Sequence, residues 1–427
     1  MRQTSSSDRS GSYFFLSYAH TPKHDPGAPH VDPWVAKLFH GLSAHIMQMT
    51  SLPVGTRAGF MDQELTVGQA WPERLSRELA FCRVFVPLYS PRYFTSEVCG
   101  REWYAFAQRA TIHNARYRTA VSPIVPALWV PVEPSHLPEA ARSVQFSHPD
   151  FGEDYAAEGF YGLSKLTYLR DEYERAVYRL AQRIVHVAQE THIAPSTPLE
   201  YADLPSAFDR PSGSQTLSIV VAATRRGRLP EGRSDSPYGS SYGNQARDWN
   251  PYHPDTARPL AEVAADLAHN QGLRARVDSF DEVADTILAG EHHSDGPVLL
   301  IIDPWALRDP DLLEKLLLLD AAASPWTRVV VPWNRQDPDN AGDIAPEPGD
   351  LESVIPQLLK LGRAASRASV SGVGTLEAFC EIVALAVRHA SADFDRHAPA
   401  YPPSGPPPPR PSPFGPSDPE APGDRSS

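Results

Sequence analysis

The chain has 427 residues and a formal net charge of −13. This length suits two domains of ordinary size. An acidic chain lacks the broad basic surface that nucleic-acid binding needs, and it is not attracted to anionic membranes, so we expect neither partner. Proline is unusually frequent, with 44 residues, and many of them lie in the last stretch of the chain.

The cysteines and the N-terminal segment indicate the compartment. Cys82, Cys99 and Cys380 are odd in number and widely spaced, so they predict neither a disulfide framework nor a zinc site. Residues 1–11 are polar and serine-rich, which predicts disorder and no signal peptide. The longest apolar runs are only long enough for strands. We therefore expect a cytoplasmic protein that does not cross a membrane.

The first half of the chain alternates between strand and helix patterns. Short apolar runs predict strands over 13–18, 58–61, 84–88 and 124–130. Helical spacing of apolar residues predicts helices over 32–46, 72–79, 96–108 and 168–188. This alternation predicts an α/β domain over residues 12–190, with a parallel sheet covered by helices on both faces.

A second domain follows a segment rich in proline and serine. We interpret residues 191–213 as a linker. Strands are then predicted over 217–222, 274–277, 298–302 and 328–332, and helices over 260–268, 281–288, 311–319, 351–361 and 376–387. The prediction is two flavodoxin-like parallel-sheet domains in tandem, the second over residues 214–390. An internal duplication is a hypothesis.

The end of the chain has a different composition. Residues 391–427 become proline-rich, which predicts an extended, disordered tail without a packed core. Besides a simple solvated tail, such a segment could serve as a ligand for a proline-binding module.

Three motifs in the first half occur at the points where predicted strands end or helices begin. They are FLSY at 15–18, GFMD at 59–62 followed by GQAW at 68–71, and SPRYFTSEVCGRE at 90–102. In this order they resemble the conserved boxes of TIR domains. The third box of that family reads Ser, an aromatic residue, Ser, Trp, Cys, two residues, Glu. The resemblance implies a flavodoxin-like signalling module that assembles with itself or with other proteins.

The second half carries short tryptophan motifs. They are DWNPY at 248–252, DPW at 303–305 and VPWN at 331–334. With the first half, they make the chain similar to the actinobacterial TIR-like proteins called FxsC. That narrower resemblance implies a protein or peptide partner, namely a radical-SAM peptide-modifying enzyme and a short peptide.

A candidate binding site follows from the predicted sheet. In an open parallel sheet, ligands bind outside the carboxyl ends of the strands. Glu102 lies in the first turns of the helix that starts near this edge. Together with Glu102, the residues predicted to form the site are Phe15, Ser17, Tyr18, Ser90 and Tyr93.

The resemblance gives Glu102 a possible catalytic role. TIR domains that cleave NAD use a glutamate at the matching position, where an anion stabilises the oxocarbenium-like ribose. NAD would be a substrate, and no cofactor would be required. The family's enzymes often carry a tryptophan four residues earlier, where this chain has Val98. Trp103 would point about 100° away from Glu102 on the helix.

Two functions therefore remain open: a signalling and assembly protein, and an NAD glycohydrolase that uses Glu102. In the first case Glu102 would be an acid at a helix start, where it interacts favourably with the helix dipole and with backbone N–H groups. Cys99, beside the same helix start, is either a thiol of lowered pKa or a packing residue.

Two features of the second half also allow alternatives. Asp303 follows a strand, where it either contacts a ribose or metal or caps the next turn. The long loop over 225–255 is rich in aromatic residues, and it either recognises a peptide or packs on its own domain. These aromatic residues are Tyr238, Tyr242, Trp249 and Tyr252.

Overall fold

The structure is a computed structural model. It describes residues 11–21, 32–52, 57–62, 71–117, 119, 121–142, 144, 148–209, 215–233, 241–288, 296–322, 324–361 and 372–397. The disorder predicted for residues 1–10 and 398–427 falls outside these ranges. Gly11 lies inside them, packed against Phe81, although the sequence placed it in the disordered segment.

The first domain is built on a four-stranded parallel sheet. Its strands are β1 (Phe14–Ser17), β2 (Gly59–Met61), β3 (Val84–Tyr89) and β4 (Ala127–Leu128), in the order β2-β1-β3-β4. The last strand is much shorter than predicted. Pro123 and Pro126 lack the N–H groups that a regular ladder needs, so Ile124 forms only an isolated bridge with Phe85.

Within the described residues, six α-helices accompany this sheet. They are α1 (Pro33–Met49), α2 (Trp71–Phe81), α3 (Glu97–Tyr117), α4 (Glu139–Arg142), α5 (Glu153–Lys165) and α6 (Arg170–Thr191). The predicted helices are all present, and α3 continues nine residues beyond its predicted end at 108.

The second domain repeats this arrangement. Its strands are β5 (Thr216–Ala222), β6 (Arg274–Ser279), β7 (Val298–Ile302) and β8 (Thr327–Val330), all parallel, in the order β6-β5-β7-β8. Each domain therefore places its first strand between its second and its third. The chain is two flavodoxin-type α/β units in tandem, and a shared origin of the two remains a hypothesis.

The helices predicted to end at 319 and 387 continue to Ala321 and His397, and the helix predicted over 351–361 is divided in two at Ile355, just before Pro356. The helices of the second domain are α7 (Leu260–His269), α8 (Phe280–Leu288), α9 (Pro310–Ala321), α10 (Leu351–Val354), α11 (Pro356–Leu361) and α12 (Leu376–His397). Helix α12 continues past the boundary predicted at 390 and ends at His397. Ser391 is buried, Asp393 pairs with Arg328, and the Phe394 ring packs against Trp326, so this last turn belongs to the domain.

Helix α3 joins the two domains. Ala115, near its C-terminal end, is fully buried in the core of the second domain, and its carbonyl accepts the Ala257 N–H at 2.9 Å. The Thr111 hydroxyl accepts a hydrogen bond from Asn270, and Arg116 pairs with Glu377 of α12. The helix that carries Glu102 is therefore also the contact between the domains.

The predicted linker is not a free connection. Helix α6 continues to Thr191, and the chain from Ile193 to Phe208 packs against the first domain, whereas residues 210–213 of the predicted linker lie outside the described ranges. Leu199, Leu204 and Phe208 contact that core, and Tyr201 and Ala207 are buried in it. We call residues 199–208 the strap.

We expect Ala115→Glu to separate the two domains, because it places an unpaired charge in a closed interface. The free energy of unfolding should fall by about 3–5 kcal/mol, and urea unfolding followed by circular dichroism should change from one transition to two. Arg116→Ala is the matched control at the next position. It removes only an exposed ion pair and should cost less than about 1 kcal/mol. A single unchanged transition in Ala115→Glu would contradict this interface.

Candidate functional site

The site lies where the chain leaves the first sheet in two directions. The chain passes from β1 to the edge strand β2 on one side of the sheet, and from β3 to the edge strand β4 on the other. Where neighbouring strands are followed by connections to opposite sides, a crevice is expected between their carboxyl ends. Ser17 ends β1, Tyr93 lies just after β3, and Glu102 enters from the start of α3. The structure thus brings together three of the predicted residues.

These three side chains form a hydrogen-bonded chain. The Ser17 Oγ atom lies 2.5 Å from Glu102 Oε2 and 2.9 Å from Tyr93 Oη. Ser17 has one hydroxyl proton, which it donates to Glu102. Tyr93 must then donate to Ser17, so the order of donation runs from Tyr93 to Ser17 to Glu102.

Burial sets the charge of this site. Glu102 is only 2% exposed, and the loss of water raises the pKa of its carboxyl group to about 8, although the Ser17 hydrogen bond lowers it in part. Burial also raises the pKa of Tyr93 and of the Cys99 thiol. At neutral pH the closed site is therefore mostly uncharged. A neutral Glu102 does not benefit from the helix dipole as the sequence-based alternative supposed.

The other predicted residues lie elsewhere. Phe15 is fully buried in the sheet core, with its ring 5.3 Å from Phe60 and 5.7 Å from Phe85. The Tyr18 hydroxyl donates to the Asp62 carbonyl at 3.0 Å and fixes the residue after β2. Ser90 accepts the Tyr93 N–H and closes the turn after β3. These contacts hold the elements that carry Ser17 and Tyr93.

The neighbours of Glu102 on α3 explain how this site differs from the family pattern. Val98, at the position of the family's tryptophan, is 38% exposed. Trp103 is buried against Phe85 and Tyr89, so it does not replace that tryptophan. Cys99 is buried with a raised thiol pKa, which fits a packing residue rather than a nucleophile.

The strap covers this site, and the sequence did not predict it. The Tyr201 hydroxyl donates to the Val98 carbonyl at 3.1 Å. The Phe208 ring packs 5.6 Å from the Tyr93 ring and 5.8 Å from the Trp103 ring. The available signal was the presence of two aromatic residues in an otherwise polar stretch.

The corresponding crevice of the second domain is filled from within. Asp303 accepts the Trp305 N–H at 3.1 Å as a cap and the Tyr242 hydroxyl at 2.8 Å. Arg233 donates to Tyr242 and pairs with Asp337 at 2.6 Å. Burial raises the pKa of Asp303 to about 6.

The described parts of the long loop, residues 225–233 and 241–255, pack on their own domain. Tyr242, Trp249 and Tyr252 are buried in the core of that domain, and Tyr238 lies outside the described residues. Across the described ranges, no three His, Cys, Asp or Glu side chains converge as metal ligands. In the same ranges, no helix combines the length and apolar character needed to cross a membrane.

Comparison with known proteins supports the first domain only. The TIR domain family matches residues 14–160, which is about a third of the chain and includes Ser17, Tyr93 and Glu102. A search of curated proteins gives no significant match. A TIR domain is therefore found in the first half, and domains of this family mediate protein–protein contacts and assembly or break down NAD.

We expect Glu102→Gln to change how stability depends on pH. The folded-state pKa of about 8 lies above the unfolded value of about 4.3. Between these values the folded protein retains a proton that the unfolded chain has lost, so the free energy of unfolding falls as the pH rises. Glutamine cannot ionise, so the variant should lose this pH dependence. In the wild type it changes the free energy of unfolding by about 2–4 kcal/mol over the measured pH range.

Urea denaturation at several pH values between about 5 and 8 measures this difference. Glu97→Gln, at an exposed position of the same helix, should retain the wild-type slope. Parallel profiles of wild type and Glu102→Gln would show that Glu102 is not held neutral in the folded protein.

Proposed function

We propose that this protein is a cytoplasmic signalling and assembly protein whose TIR domain acts through protein–protein contacts. The observation that carries this proposal is the closed state of the Glu102 site. Its acid is buried, neutral and covered by the strap, so this state offers no entry to a substrate. The three cysteines are free thiols, which supports a reducing compartment.

The proposed partner is a radical-SAM peptide-modifying enzyme with its short peptide. Support for it comes from the resemblance to FxsC proteins and from the tryptophan motifs of the second half. In the structure Trp249, Trp305 and Trp333 are buried. These motifs therefore build the second domain, and the partner would contact other, exposed residues.

Tyr168 is the residue we would test first for such a contact. It is 78% exposed, more than any other large hydrophobic side chain of the described residues, and tyrosine is enriched at the centres of interfaces. Size-exclusion chromatography with light scattering should show self-association or co-elution with the purified enzyme and peptide. Tyr168→Ala should weaken that association by about tenfold or more.

Leu318→Ala is the matched control, since Leu318 is half-exposed on α9 of the second domain. It should leave the association unchanged. If wild-type protein stays monomeric at all concentrations and binds neither component, the assembly proposal is wrong.

A second candidate function is cleavage of the nicotinamide–ribose bond of NAD by Glu102. The hydrogen-bonded chain of Ser17, Tyr93 and Glu102 at the carboxyl edge of the sheet favours it. An ionised Glu102 would stabilise the positive charge that develops on the ribose. Because the closed site favours the neutral acid, this activity requires an opened and hydrated site.

Release of nicotinamide, measured by chromatography at high protein concentration with a crowding agent, tests this candidate. Glu102→Gln keeps the hydrogen bond to Ser17 but removes the charge, so it should lower the rate by about 10²–10³-fold. Glu97→Gln should keep the wild-type rate. If no assembly condition yields nicotinamide, the enzymatic proposal is wrong.

A further inference from the structure

The chain segment before the strap is fixed to the first domain. The Arg109 guanidinium is buried and donates to the carbonyls of Ala194 at 2.9 Å and Ile193 at 3.3 Å. The same group binds the Leu79 and Cys82 carbonyls at the end of α2. Because these four bonds satisfy a buried cation, the start of the strap is held in place.

The middle of the strap lies beside Glu102. Tyr201 is buried, and its hydroxyl binds the Val98 carbonyl one turn before Glu102 on α3. Burial raises the pKa of Tyr201, and negative charge on Glu102 or Cys99 would raise it further, because Tyr201 lies close to both groups. Tyr201 therefore helps to exclude water from the site.

The end of the strap depends on a glycine of α3. A Cβ atom at Gly100 would lie 2.0 Å from Ser206 Oγ and 2.9 Å from Ser206 Cβ. Glycine inside a helix costs about 1 kcal/mol relative to alanine, and here it permits this close approach. The Ala207 N–H then donates to the Gly100 carbonyl at 3.1 Å.

Phe208 closes the strap over an aromatic surface. Its ring packs on Tyr93, on Phe94 at 5.4 Å and on Trp103. These contacts belong to the loop after β3 and to α3, which are the elements that supply Tyr93 and Glu102.

Few regular backbone contacts hold the strap to the fold that it covers, although Tyr201 and Ala207 are buried and Arg388 of the second domain donates to the Asp203 carbonyl at 3.3 Å. The strap contributes no strand to the sheet, and its only regular element is a three-residue 3-10 turn over Tyr201–Asp203. The described bonds from its backbone to α3 and from Tyr201 are few compared with the ladders of the sheet. Segments held in this way open at a lower free energy than the whole domain.

We propose that the strap is an autoinhibitory cover of the TIR domain. Closed, it seals Ser17, Tyr93 and Glu102 from water and occupies the aromatic surface beside them. Released, it exposes both to a substrate or a protein partner. This inference rests on the proposed function of the TIR domain, and its test uses a readout that does not depend on that function.

Cys99 supplies this readout because its thiol is buried in the covered site, beside Glu102. Phe208→Ala removes the aromatic anchor from the strap side. Gly100→Val places a side chain on α3 where Ser206 of the strap now lies, and so displaces the strap. The substitution should not weaken α3 itself, because valine is no worse a helix former than glycine. In both variants, a small maleimide should modify Cys99 on the order of tenfold faster than in wild type. Mass spectrometry of peptides measures each cysteine separately.

Cys380 is the internal control, since it is buried in the core of the second domain. The modification rate of Cys380 should stay at the wild-type value, and the melting temperature should fall by no more than about 5 °C, as expected from loss of the strap contacts alone. Two results overturn the proposal: an unchanged Cys99 rate in both variants, or equal acceleration of Cys99 and Cys380. The second result would mean that the strap is part of the core and not a removable cover.

A variant that combines Gly100→Cys and Ser206→Cys tests the opposite case, because a disulfide between these positions would hold the strap closed. The two Cβ positions lie slightly closer than the usual 3.5–4.5 Å, so a small shift of the strap completes the bond. Oxidation should protect Cys99, and reduction should restore its modification. Failure of this protection in a fully oxidised sample also counts against the cover.

Nicotinamide release and self-association are then measured in the same variants. Their increase on strap release supports inhibition by the strap. If Cys99 becomes reactive while neither activity appears, the strap is a cover but the functions proposed above are wrong. The two failures are therefore distinguishable.

Discussion

The burial of α3 on every side from Glu102 to Thr111 is the constraint on which the rest of this structure depends. One face packs on the sheet, where the Phe106 ring lies 5.2 Å from the Phe85 ring. A second face meets the strap at Gly100, and the C-terminal part enters the second domain at Ala115. A helix surrounded in this way needs small residues at its contacts and partners for its polar groups, and the four carbonyls around Arg109 supply such partners.

Because α3 is shared, the charge of Glu102 is coupled to the position of the strap. A buried carboxyl group prefers its neutral form, and a hydrated one prefers to ionise. Ionisation of Glu102 therefore favours the open state to the same extent that opening favours ionisation. A ligand with positive charge near Glu102 would shift both equilibria together. The hydroxyl chain from Tyr93 through Ser17 holds the neutral acid in place until then.

The sequence predicted the local features of the fold but not its long-range contacts. Apolar runs located β1 and β3 because runs of four and six buried residues are a strong local signal. The placement of Ser17, Tyr93 and Glu102 at one edge followed from the order of the elements. The strap was interpreted as a linker from its proline and serine content, because Tyr201 bonds to a carbonyl 103 residues away. A local sequence pattern cannot predict a hydrogen bond to a residue so distant in the chain, and it cannot predict the burial that raises the Glu102 pKa.

The carboxyl edge of the sheet is closed in different ways in the two domains. This difference indicates that the site of the first domain opens more easily than that of the second. In the second domain, Arg233 and Asp337 form a buried ion pair, and breaking it would leave a charge without a partner at a cost of several kcal/mol. In the TIR domain, the cover is a short segment held by aromatic contacts and a few hydrogen bonds. Ala115 anchors α3 in the core of the second domain, so we expect Glu102 to stay in position when the strap opens. In this proposal the second domain supports α3, and the strap is the element that moves.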